Sequence, residues 1–501
     1  MNNFDWFSKW NIYSPNSIAI TDFDNGKLYS YSELNHSSNQ LAEYFRSEYK
    51  LGLGDRVAVL AENCIEYVIL FGVAQKLGII LIPLNYRLAA QELNYIIQNS
   101  EPLLIIVQNN FIEKAKQTAG FANVKFKLTL DELSDLQKEL SSQPISKNIK
   151  CEQITEDSPI FILYTSGTTA FPKGALYTHK MLFWNSINTE LRLNITSDDK
   201  SINCAPPFHT GGWNVLFTPF LHHGAHTILM KNFDSELILK IMDEQEITIW
   251  WAVPTMLKMI TESELFTKSE MKKLRYLIVG GEALPLEVIN TWHNKGVPIR
   301  QGYGLTEVGP NVTSLNQVDA TRKLGSIGTP NFYIQTKLVD ESGIDILGEG
   351  KGEFLLKGPN VTPGYWKNES DTKATIKDGW FSTGDVVMRD AEGFLYVVDR
   401  LKNMYISGGE NVYPAEVEHM LRHHPKIDDI AIIGVPDEKW GEVGKAFIVK
   451  EKNSNLNEED VRNYCLEKLA KYKIPKHIKF LEILPTNDSG KIDRKKLKSI
   501  E

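Results

Sequence analysis

The sequence has few cysteines, and this scarcity excludes two classes of protein. Only four occur among 501 residues, Cys64, Cys151, Cys204 and Cys465. They are so widely separated that their spacing matches neither a zinc site nor the disulfide framework of a small secreted domain. We therefore expect a protein of a reducing compartment, with a cytoplasmic location.

Long apolar runs are also missing. The most apolar stretch, residues 69–84, is interrupted by Gln75 and Lys76, and residues 1–10 contain Asp5 and no apolar core of signal-peptide length. A membrane-spanning helix needs about 20 predominantly apolar residues. We expect neither a transmembrane segment nor an export signal.

Positive charge is not in excess. The chain carries 55 Lys and Arg against 63 Asp and Glu, a formal net charge of −8, and the two signs are mixed along the sequence. Without a basic stripe to bind a phosphate backbone, nucleic acid is excluded as a partner. With 501 residues, 42% of them hydrophobic, the chain can bury several cores, so more than one domain is expected.

The order of apolar segments predicts the fold class. Short β-branched runs, such as residues 56–60, 103–107 and 274–279, alternate with longer helix-like segments such as 32–49. This alternation is typical of an α/β fold with largely parallel sheets. From about Gly325 closely spaced strands and Gly-rich turns predict a small β subdomain. After Lys402 the pattern predicts a compact α+β unit, with a helix at 414–422, strands at 430–433 and 446–449 and a helix at 457–470.

A phosphate-binding loop is predicted after the strand-like residues 161–164. Residues 165–174 read TSGTTAFPKG. Hydroxyls and free backbone N–H groups donate to an anion and a lysine neutralises it, although such residues also form ordinary surface turns. The loop is not a Walker A motif, because no Gly-Lys-Ser/Thr follows. The candidate phosphate-binding residues are Thr165, Ser166, Gly167, Thr168, Thr169 and Lys173.

This decapeptide resembles the signature of the AMP-forming acyl-CoA synthetases, in the superfamily shared with peptide-synthetase adenylation domains and firefly luciferase. Ala170 departs from the family pattern, which has glycine there. The resemblance continues in order through residues 280–285, 301–307, 382–385, 399–402, 408–414 and 484–494. It implies the adenylate-forming enzyme fold: a large N-terminal AMP-binding domain of two α/β sheet layers plus a small β subdomain, residues 1–400, and a mobile α+β C-terminal domain, residues 401–501.

The resemblance also implies roles on the nucleotide side. Thr306 reaches the α-phosphate, and Glu307 binds Mg²⁺ together with Thr165. Tyr303 stacks on adenine, and Asp385 and Arg400 contact the ribose. The remaining residues implied to bind the nucleotide are Gly280, Gly281, Glu282, Ala283, Gln301, Gly302 and Gly304.

Near the C-terminus the resemblance implies a hinge, a catalytic lysine and a thiol path. Lys402 is the hinge position, and Lys491 bridges the carboxylate and the α-phosphate during adenylation. Gly408 and Gly409 line the pantetheine path after a rotation about the hinge. The expected cofactors are therefore ATP, Mg²⁺ and coenzyme A.

The acyl substrate is read from two positions. His209, in the segment 206–214, resembles the family histidine beside the acyl site; amino-acid-activating relatives have aspartate there, which argues against an amino acid. Gly304 stands where relatives restricted to acetate or propionate carry tryptophan, so a longer or aromatic acyl group is expected. A medium- or long-chain fatty acid is the first expectation, with an aryl acid as the alternative. Ile406 stands where some hydroxycinnamate-activating relatives have lysine, which counts against that branch.

The predicted function is an ATP-dependent acid-thiol ligase. It forms an acyl-adenylate from a carboxylic acid, in the first place a medium- or long-chain fatty acid, and transfers the acyl group to coenzyme A, releasing AMP and pyrophosphate. Two alternatives stay open: a ligase that loads a separate carrier protein, and a catalytically silent sensor of a nucleotide or acyl-adenylate, for which only Ala170 argues. Monomer and homodimer are both compatible with the sequence.

Overall fold

The computed structural model describes residues 4–142, 149–165, 172–281, 284–407, 410–452, 454–466, 468–469, 471–487 and 490–500, except the side chain of Asn411. The chain divides into two compact units. The first comprises Met1–Thr336 and Leu356–Phe381, and the second comprises Lys337–Leu355 and Ser382–Glu501. The predicted boundary at residue 400 stays a prediction.

The helices of the described residues follow in chain order. They are α1 (Trp6–Tyr13), α2 (Tyr31–Glu48), α3 (Ile65–Leu77), α4 (Ala90–Ser100), α5 (Ile112–Lys116), α6 (Ala119–Asn123), α7 (Leu130–Ser141), α8 (His179–Leu193), α9 (Thr210–Asn214), α10 (Phe217–His223), α11 (Ser235–Glu244), α12 (Pro254–Thr261), α13 (Glu264–Lys268), α14 (Leu286–Asn294), α15 (Glu369–Thr375), α16 (Pro414–Arg422), α17 (Glu458–Leu466) and α18 (Arg494–Lys498).

The strands up to the last sheet of the first unit are β1 (Ile18–Asp22), β2 (Lys27–Ser30), β3 (Arg56–Leu60), β4 (Ile80–Pro83), β5 (Leu104–Val107), β6 (Phe126–Thr129), β7 (Pro159–Thr165), β8 (Lys173–Thr178), β9 (Lys200–Asn203), β10 (His226–Leu229), β11 (Ile249–Ala252), β12 (Tyr276–Val279), β13 (Ile299–Tyr303), β14 (Thr313–Ser314) and β15 (Thr329–Pro330). The later strands are β16 (Gln335–Val339), β17 (Asp345–Ile346), β18 (Gly350–Lys357), β19 (Ile376–Lys377), β20 (Trp380–Arg389), β21 (Leu395–Arg400), β22 (Tyr405–Ser407), β23 (Glu410–Val412), β24 (Ile427–Asp437), β25 (Gly441–Lys450) and β26 (His477–Leu481).

Three sheets form the first unit. One has six strands in the order β6-β5-β3-β4-β7-β8, parallel except for β8. The second has the order β2-β1-β10-β9, parallel except for β2. The third has the order β11-β12-β13-β14-β15, in which β11 to β13 are parallel. The carboxyl ends of β7 and β13 therefore deliver the predicted phosphate and metal residues, as expected for parallel sheets.

Helix α3 shows how the most apolar stretch of the sequence is used. Its residues are buried on all sides, including Lys76. The Lys76 Nζ lies 2.8 Å from Asp5 Oδ2 and also donates to Ser8 and Asn35. A buried ammonium is tolerated only when it is paired and hydrogen-bonded in this way. The stretch thus forms the end of a core helix, α3, and the buried strand β4 of the first unit.

The second unit contains most of one sheet and all of another. The former has the order β17-β16-β18-β20-β19 with β21 on β20, and the latter has the order β23-β22-β25-β24 with β26 on β25. Helix α16 packs on β24 in a core that includes Val417, Leu421 and Ile432, and α18 packs on β24 in a second core that includes Ile433 and Leu497. The predicted α/β fold, with a large N-terminal part and a smaller C-terminal part, is confirmed.

Within the described ranges, no helix is both long and apolar enough to cross a membrane.

Candidate active site

The two ends of the predicted phosphate loop are held together by strand pairing. Thr165 is the last residue of β7 and Lys173 the first residue of β8, and the two are register partners in this antiparallel pair. Ser166, Gly167, Thr168 and Thr169, which sequence analysis predicts to contact phosphate, lie outside the described residues. The described ends nevertheless fix where the loop leaves and rejoins the sheet.

Glu307 lies beside the start of that loop. It belongs to a 3-10 turn, Thr306–Val308, that follows β13. The Thr165 hydroxyl lies 3.5 Å from Glu307 Oε1, and the Tyr365 hydroxyl donates to the same oxygen at 3.0 Å. The Glu307 carbonyl accepts from the Thr362 N–H at 2.7 Å. The structure thus brings together the two predicted metal residues, Thr165 and Glu307.

Tyr365 is a site residue that sequence analysis missed. It is buried, and burial, followed by the charge of Glu307, raises the pKa of its hydroxyl well above the ordinary value. The hydroxyl therefore stays protonated and acts as a donor to Glu307. Because 58 residues separate Tyr365 from Glu307, no local spacing signals the contact.

Lys173 has a partner that sequence analysis also missed. Its Nζ lies 2.7 Å from Asp371 Oδ2 and 5.5 Å from the centroid of the Tyr365 ring. The hydrogen bond from Lys173 lowers the pKa of Asp371 below its usual range. Asp371 lies in the first turn of α15, which Asn368 caps. In this structure the lysine predicted to neutralise phosphate is therefore held by a carboxylate.

The residues predicted to bind adenine lie at the ends of two neighbouring strands, β12 and β13, whose backbones come close together. Gly280 and Gly281 follow β12, and a Cβ on Gly280 would lie 3.3 Å from the carbonyl oxygen of Gly302 on β13. Gln301 and Tyr303 are buried at the end of the same strand. Glu282 and Ala283 lie outside the described residues. Stacking of adenine on Tyr303 stays a prediction.

The structure gives a reason for glycine at position 304 that the sequence did not show. A Cβ at this position would lie 2.3 Å from the carbonyl oxygen of Pro310 and 2.6 Å from that of Gly309. Real Cβ atoms do not approach backbone this closely, so a side chain here requires the backbone to move. The absence of a side chain at Gly304 is thus explained by backbone packing, without reference to an acyl chain.

His209 precedes helix α9. The ring is half-buried, with its centroid 4.5 Å from that of Phe208. The backbone of this segment is fixed by two turns: the His209 N–H donates to the Pro206 carbonyl, and the Gly212 N–H donates to the His209 carbonyl. The predicted role of His209 as a positional group beside the acyl site stays a prediction.

In the second unit, Asp385 and Arg400 form a pair. They are register partners on β20 and β21, and the Arg400 Nε lies 2.7 Å from Asp385 Oδ1. Asp385 is buried. The predicted hinge residue, Lys402, lies in the 3-10 turn Leu401–Asn403 directly after this pair. The predicted thiol-path glycines, Gly408 and Gly409, lie outside the described residues, between the paired ends of β22 and β23.

Lys491 lies on a tight turn of the second unit. Its N–H donates to Asn487 Oδ1 at 3.0 Å, and its carbonyl accepts from the Asn487 N–H at 2.8 Å. Gly490, with a φ of +81°, takes the left-handed conformation that this turn requires. The turn leaves Lys491 exposed.

The oxygen ligands around Glu307 suit Mg²⁺. The ion is usually bound by one or two carboxylates together with substrate phosphates, rather than by a cage of protein ligands. Glu307 supplies a carboxylate and Thr165 a hydroxyl next to it. Within the part of the chain that the structure describes, no group of three or more His, Cys, Asp or Glu side chains could hold a metal alone. The site thus fits an ion that arrives with a polyphosphate.

Comparison with known proteins agrees with these motifs. The AMP-binding enzyme family matches residues 7–366, and the AMP-binding enzyme C-terminal domain matches residues 416–491. This chain belongs to that family. It is an AMP-forming acyl-CoA synthetase, an acid-CoA ligase that uses ATP and works through an acyl-adenylate.

Three similar members of the family extend over the whole chain. A feruloyl-CoA synthase from Amycolatopsis sp is 35% identical over 480 residues, 96% of this chain and 95% of that protein. ATP-bound MatB from Rhodopseudomonas palustris has a TM-score of 0.91 at 30% identity, covering 100% of this chain and 99% of that one. The o-succinylbenzoate CoA synthetase MenE from Bacillus subtilis, in complex with the acyl-adenylate OSB-AMP, has a TM-score of 0.87 at 31% identity, covering 99% and 98%.

Proposed function

We propose that this acid-CoA ligase activates an aromatic carboxylic acid and transfers the aroyl or arylacyl group to coenzyme A. Similarity supports the aromatic class, since the feruloyl-CoA synthase and the o-succinylbenzoate CoA synthetase that resemble this chain are named for aromatic acids. The fatty acid and the aryl acid expected from sequence both depended on the room left at Gly304, and because the contact with Pro310 already explains a glycine there, this position does not choose between them. An aromatic acid is therefore the substrate class we place first.

The observation that carries this choice is the packing around Trp213, four residues after His209 in the chain. Trp213, on α9, is buried, and its ring centroid lies 5.0 Å from that of Phe161, 5.8 Å from Phe71 and 5.6 Å from Phe217. An extended alkyl chain running past His209 into this region would have to displace several packed rings. A filled core resists overpacking of this kind. An aromatic ring is shorter than an extended alkyl chain, so an aromatic acid reaches less far into this packed region.

The proposed chemistry has two steps. A carboxylate oxygen of the acid attacks the α-phosphorus of ATP, and pyrophosphate leaves. The thiolate sulfur of coenzyme A then attacks the acyl carbonyl, and AMP leaves. Mg²⁺ bound to the triphosphate neutralises its charge. We assign Lys491 to bridge the carboxylate and the α-phosphate, Thr306 to hydrogen-bond the α-phosphate, Lys173 to contact the triphosphate, and Asp385 to accept from the ribose hydroxyls.

A hinge at Lys402 is part of the proposal, with domains 1–400 and 401–501. The Asp399 carboxylate, which precedes the hinge, accepts from the Ala415 N–H at 2.7 Å, beyond it. Rotation about Lys402 would break this bond, so the two states would differ by a defined interaction. Lys402→Pro should then spare either adenylate formation or thioester formation, but not both. If this variant retained both steps equally, the result would contradict a hinge at Lys402.

The experiment that tests the function measures pyrophosphate release from ATP and Mg²⁺ across a panel of acids. The panel includes benzoate, cinnamate and their hydroxylated derivatives, together with acetate, octanoate and palmitate, with and without coenzyme A. Lys491→Ala is the inactive control and Lys498→Ala, another exposed lysine, is the matched one. Repeated turnover with coenzyme A and an aromatic acid is the expected result. Turnover only with octanoate or palmitate would replace the aromatic acid by a fatty acid.

Two other outcomes of the same panel bear on the alternatives. A single burst of pyrophosphate with no turnover on coenzyme A would move the acceptor to a carrier protein, and no release with any acid would favour a nucleotide sensor.

We further propose a cytoplasmic location, which the four unpaired cysteines support. Fractionation of cells that express the tagged protein tests it, and recovery outside the cytoplasm would contradict it.

A further inference from the structure

A small cavity lies beside the segment that carries His209. Its walls include Ser201 and Asn203 from β9, Thr227 from β10, Gly211 from α9, Phe217 from α10 and Trp251 from β11. All of these elements belong to the first unit. The space between them is about the size of one water molecule, which is also the size of a single hydroxyl group.

Two hydroxyl groups at this cavity lack hydrogen-bond partners. Ser201 and Thr227 are register partners on neighbouring parallel strands, and they are 2% and 1% exposed. Neither Ser201 Oγ nor Thr227 Oγ1 has a hydrogen-bond partner among the described residues. Buried hydroxyls are almost always paired, so two adjacent ones facing the same cavity indicate that a polar atom binds between them.

The cavity is joined to the acyl-site segment through backbone. The Asn203 side chain donates to the Gly212 carbonyl at 2.9 Å, which holds the start of α9 against β9. Gly211 has no side chain, and a Cβ there would lie 2.6 Å from the Trp251 ring. Gly211, which lines the cavity, lies two residues after His209 in the chain. The cavity therefore adjoins the segment that is predicted to flank the acyl site.

The walls also restrict the chemistry of what binds. None of the residues that line the cavity is charged. A carboxylate or an ammonium would remain unpaired here, and burying such a charge is costly. A neutral hydroxyl or ether oxygen can instead accept from one side-chain hydroxyl and, in the case of a hydroxyl, donate to the other.

We propose that Ser201 and Thr227 bind a neutral oxygen substituent at the distal end of the acyl substrate, and so determine its specificity. This inference depends on the proposed function, because it names the kind of aromatic acid that the site takes. Acids whose ring carries a hydroxyl or ether oxygen are selected over the unsubstituted ring. Unsubstituted acids leave both hydroxyls unpaired, which a site built for hydrogen bonding penalises.

The test compares matched acids in wild type and in the double variant Ser201→Ala/Thr227→Val. Pairs such as cinnamate and 4-hydroxycinnamate, or benzoate and its hydroxylated isomers, differ by one oxygen. In wild type we expect kcat/KM to favour the hydroxylated acid of at least one pair by about ten-fold or more. In the double variant the preference should fall to within about two-fold, because kcat/KM falls for the hydroxylated acid and rises for the unsubstituted acid, which no longer leaves two hydroxyls unpaired.

Thermal unfolding of the ligand-free variant supplies a second readout. Thr227→Val replaces a hydroxyl by a methyl group of the same shape and Ser201→Ala removes one small polar atom, so the loss of two unpaired buried hydroxyls should leave Tm unchanged or raise it. A fall in Tm, with the wild-type substrate preference retained, would mean that the cavity holds a structural water only and would overturn the proposal.

Failure of this inference is distinguishable from failure of the proposed function. Turnover of unsubstituted aromatic acids with no preference for the hydroxylated partner overturns the inference and leaves the aromatic ligase intact. Turnover of alkanoic acids alone overturns both.

Discussion

Glu307 and Lys491 are both assigned to the adenylation step, but their surroundings differ. Glu307 is half-buried, and its carboxylate has the Tyr365 and Thr165 hydroxyls beside it. Lys491 is exposed on a turn that hydrogen bonds to Asn487 hold through the backbone. The contacts of the proposed metal residue Glu307 are therefore made by packing within the protein, whereas Lys491 is accessible, as a group delivered to the substrate would need to be.

The largest effect is expected for Lys491→Ala. Removing the cation that stabilises the charge of the adenylation transition state should lower overall acyl-CoA formation about 1,000-fold. Because the side chain is exposed, Tm should not change. Acyl-CoA is measured by chromatography, with Lys498→Ala as the matched variant that keeps activity. A marked decrease in Tm would mean that Lys491 also stabilises the fold, and would contradict the difference described between Lys491 and Glu307.

Glu307→Gln should have the next largest effect. The amide keeps the shape and can still accept from Tyr365, but it removes the charge that Mg²⁺ prefers. We expect about a 100-fold lower kcat for pyrophosphate release, and saturation at higher Mg²⁺ concentration. Glu287→Gln, at an exposed position of the same unit, is the control. An unchanged Mg²⁺ dependence would remove Glu307 from the metal site.

Tyr365→Phe tests whether the hydrogen bond that orients Glu307 before the substrates bind contributes to activity. The ring stays, so the fold should stay, and only the hydrogen bond to Glu307 Oε1 is lost. We expect about a ten-fold fall in kcat/KM for ATP, together with weaker apparent Mg²⁺ affinity. Tyr333→Phe removes a hydroxyl from an exposed ring and should have no effect. Equal kinetics for the two variants would mean that Glu307 needs no orienting donor.

The smallest effect is expected for Asp371→Asn. This variant frees Lys173 from its carboxylate partner and removes a negative charge near the triphosphate. The KM for ATP should fall about two- to three-fold, since the pair is partly exposed and such pairs contribute little. Lys173 holds the pKa of Asp371 below its ordinary value, so the carboxylate is ionised at neutral pH and the effect should be constant from about pH 6 to 8. A raised KM would contradict this competition.

The sequence predicted elements well where local signals agree. The strand expected at 56–60 is β3, and the helix expected at 414–422 is α16, which starts with Pro414 at its first turn. The strand expected at 430–433 is only the centre of β24, which runs from Ile427 to Asp437 and includes Pro436. In its sheet β24 pairs only with β25, and an edge strand tolerates proline. Which strand lies at an edge is not visible in the sequence.

The segments that form the candidate site were predicted from the order of the motifs, but the contacts between their residues were not predicted. Thr165 and Glu307 were assigned together by resemblance, and the structure places them side by side. Tyr365 and Asp371 were missed because their partners are distant in sequence. Gly304 was interpreted as room for a long acyl group, whereas the backbone at Pro310 occupies the space where its side chain would be. Such contacts depend on tertiary packing, which periodicity does not encode.

The central claim, that Lys491 acts in adenylation on a site already built around Glu307, is tested most directly by separating the two half-reactions. Wild type and Lys491→Ala are each given acid and ATP in one series, and synthetic acyl-adenylate and coenzyme A in the other. The account predicts that Lys491→Ala loses adenylate formation by at least about 100-fold but converts the supplied adenylate to thioester within about three-fold of wild type. Equal losses in both series would contradict it.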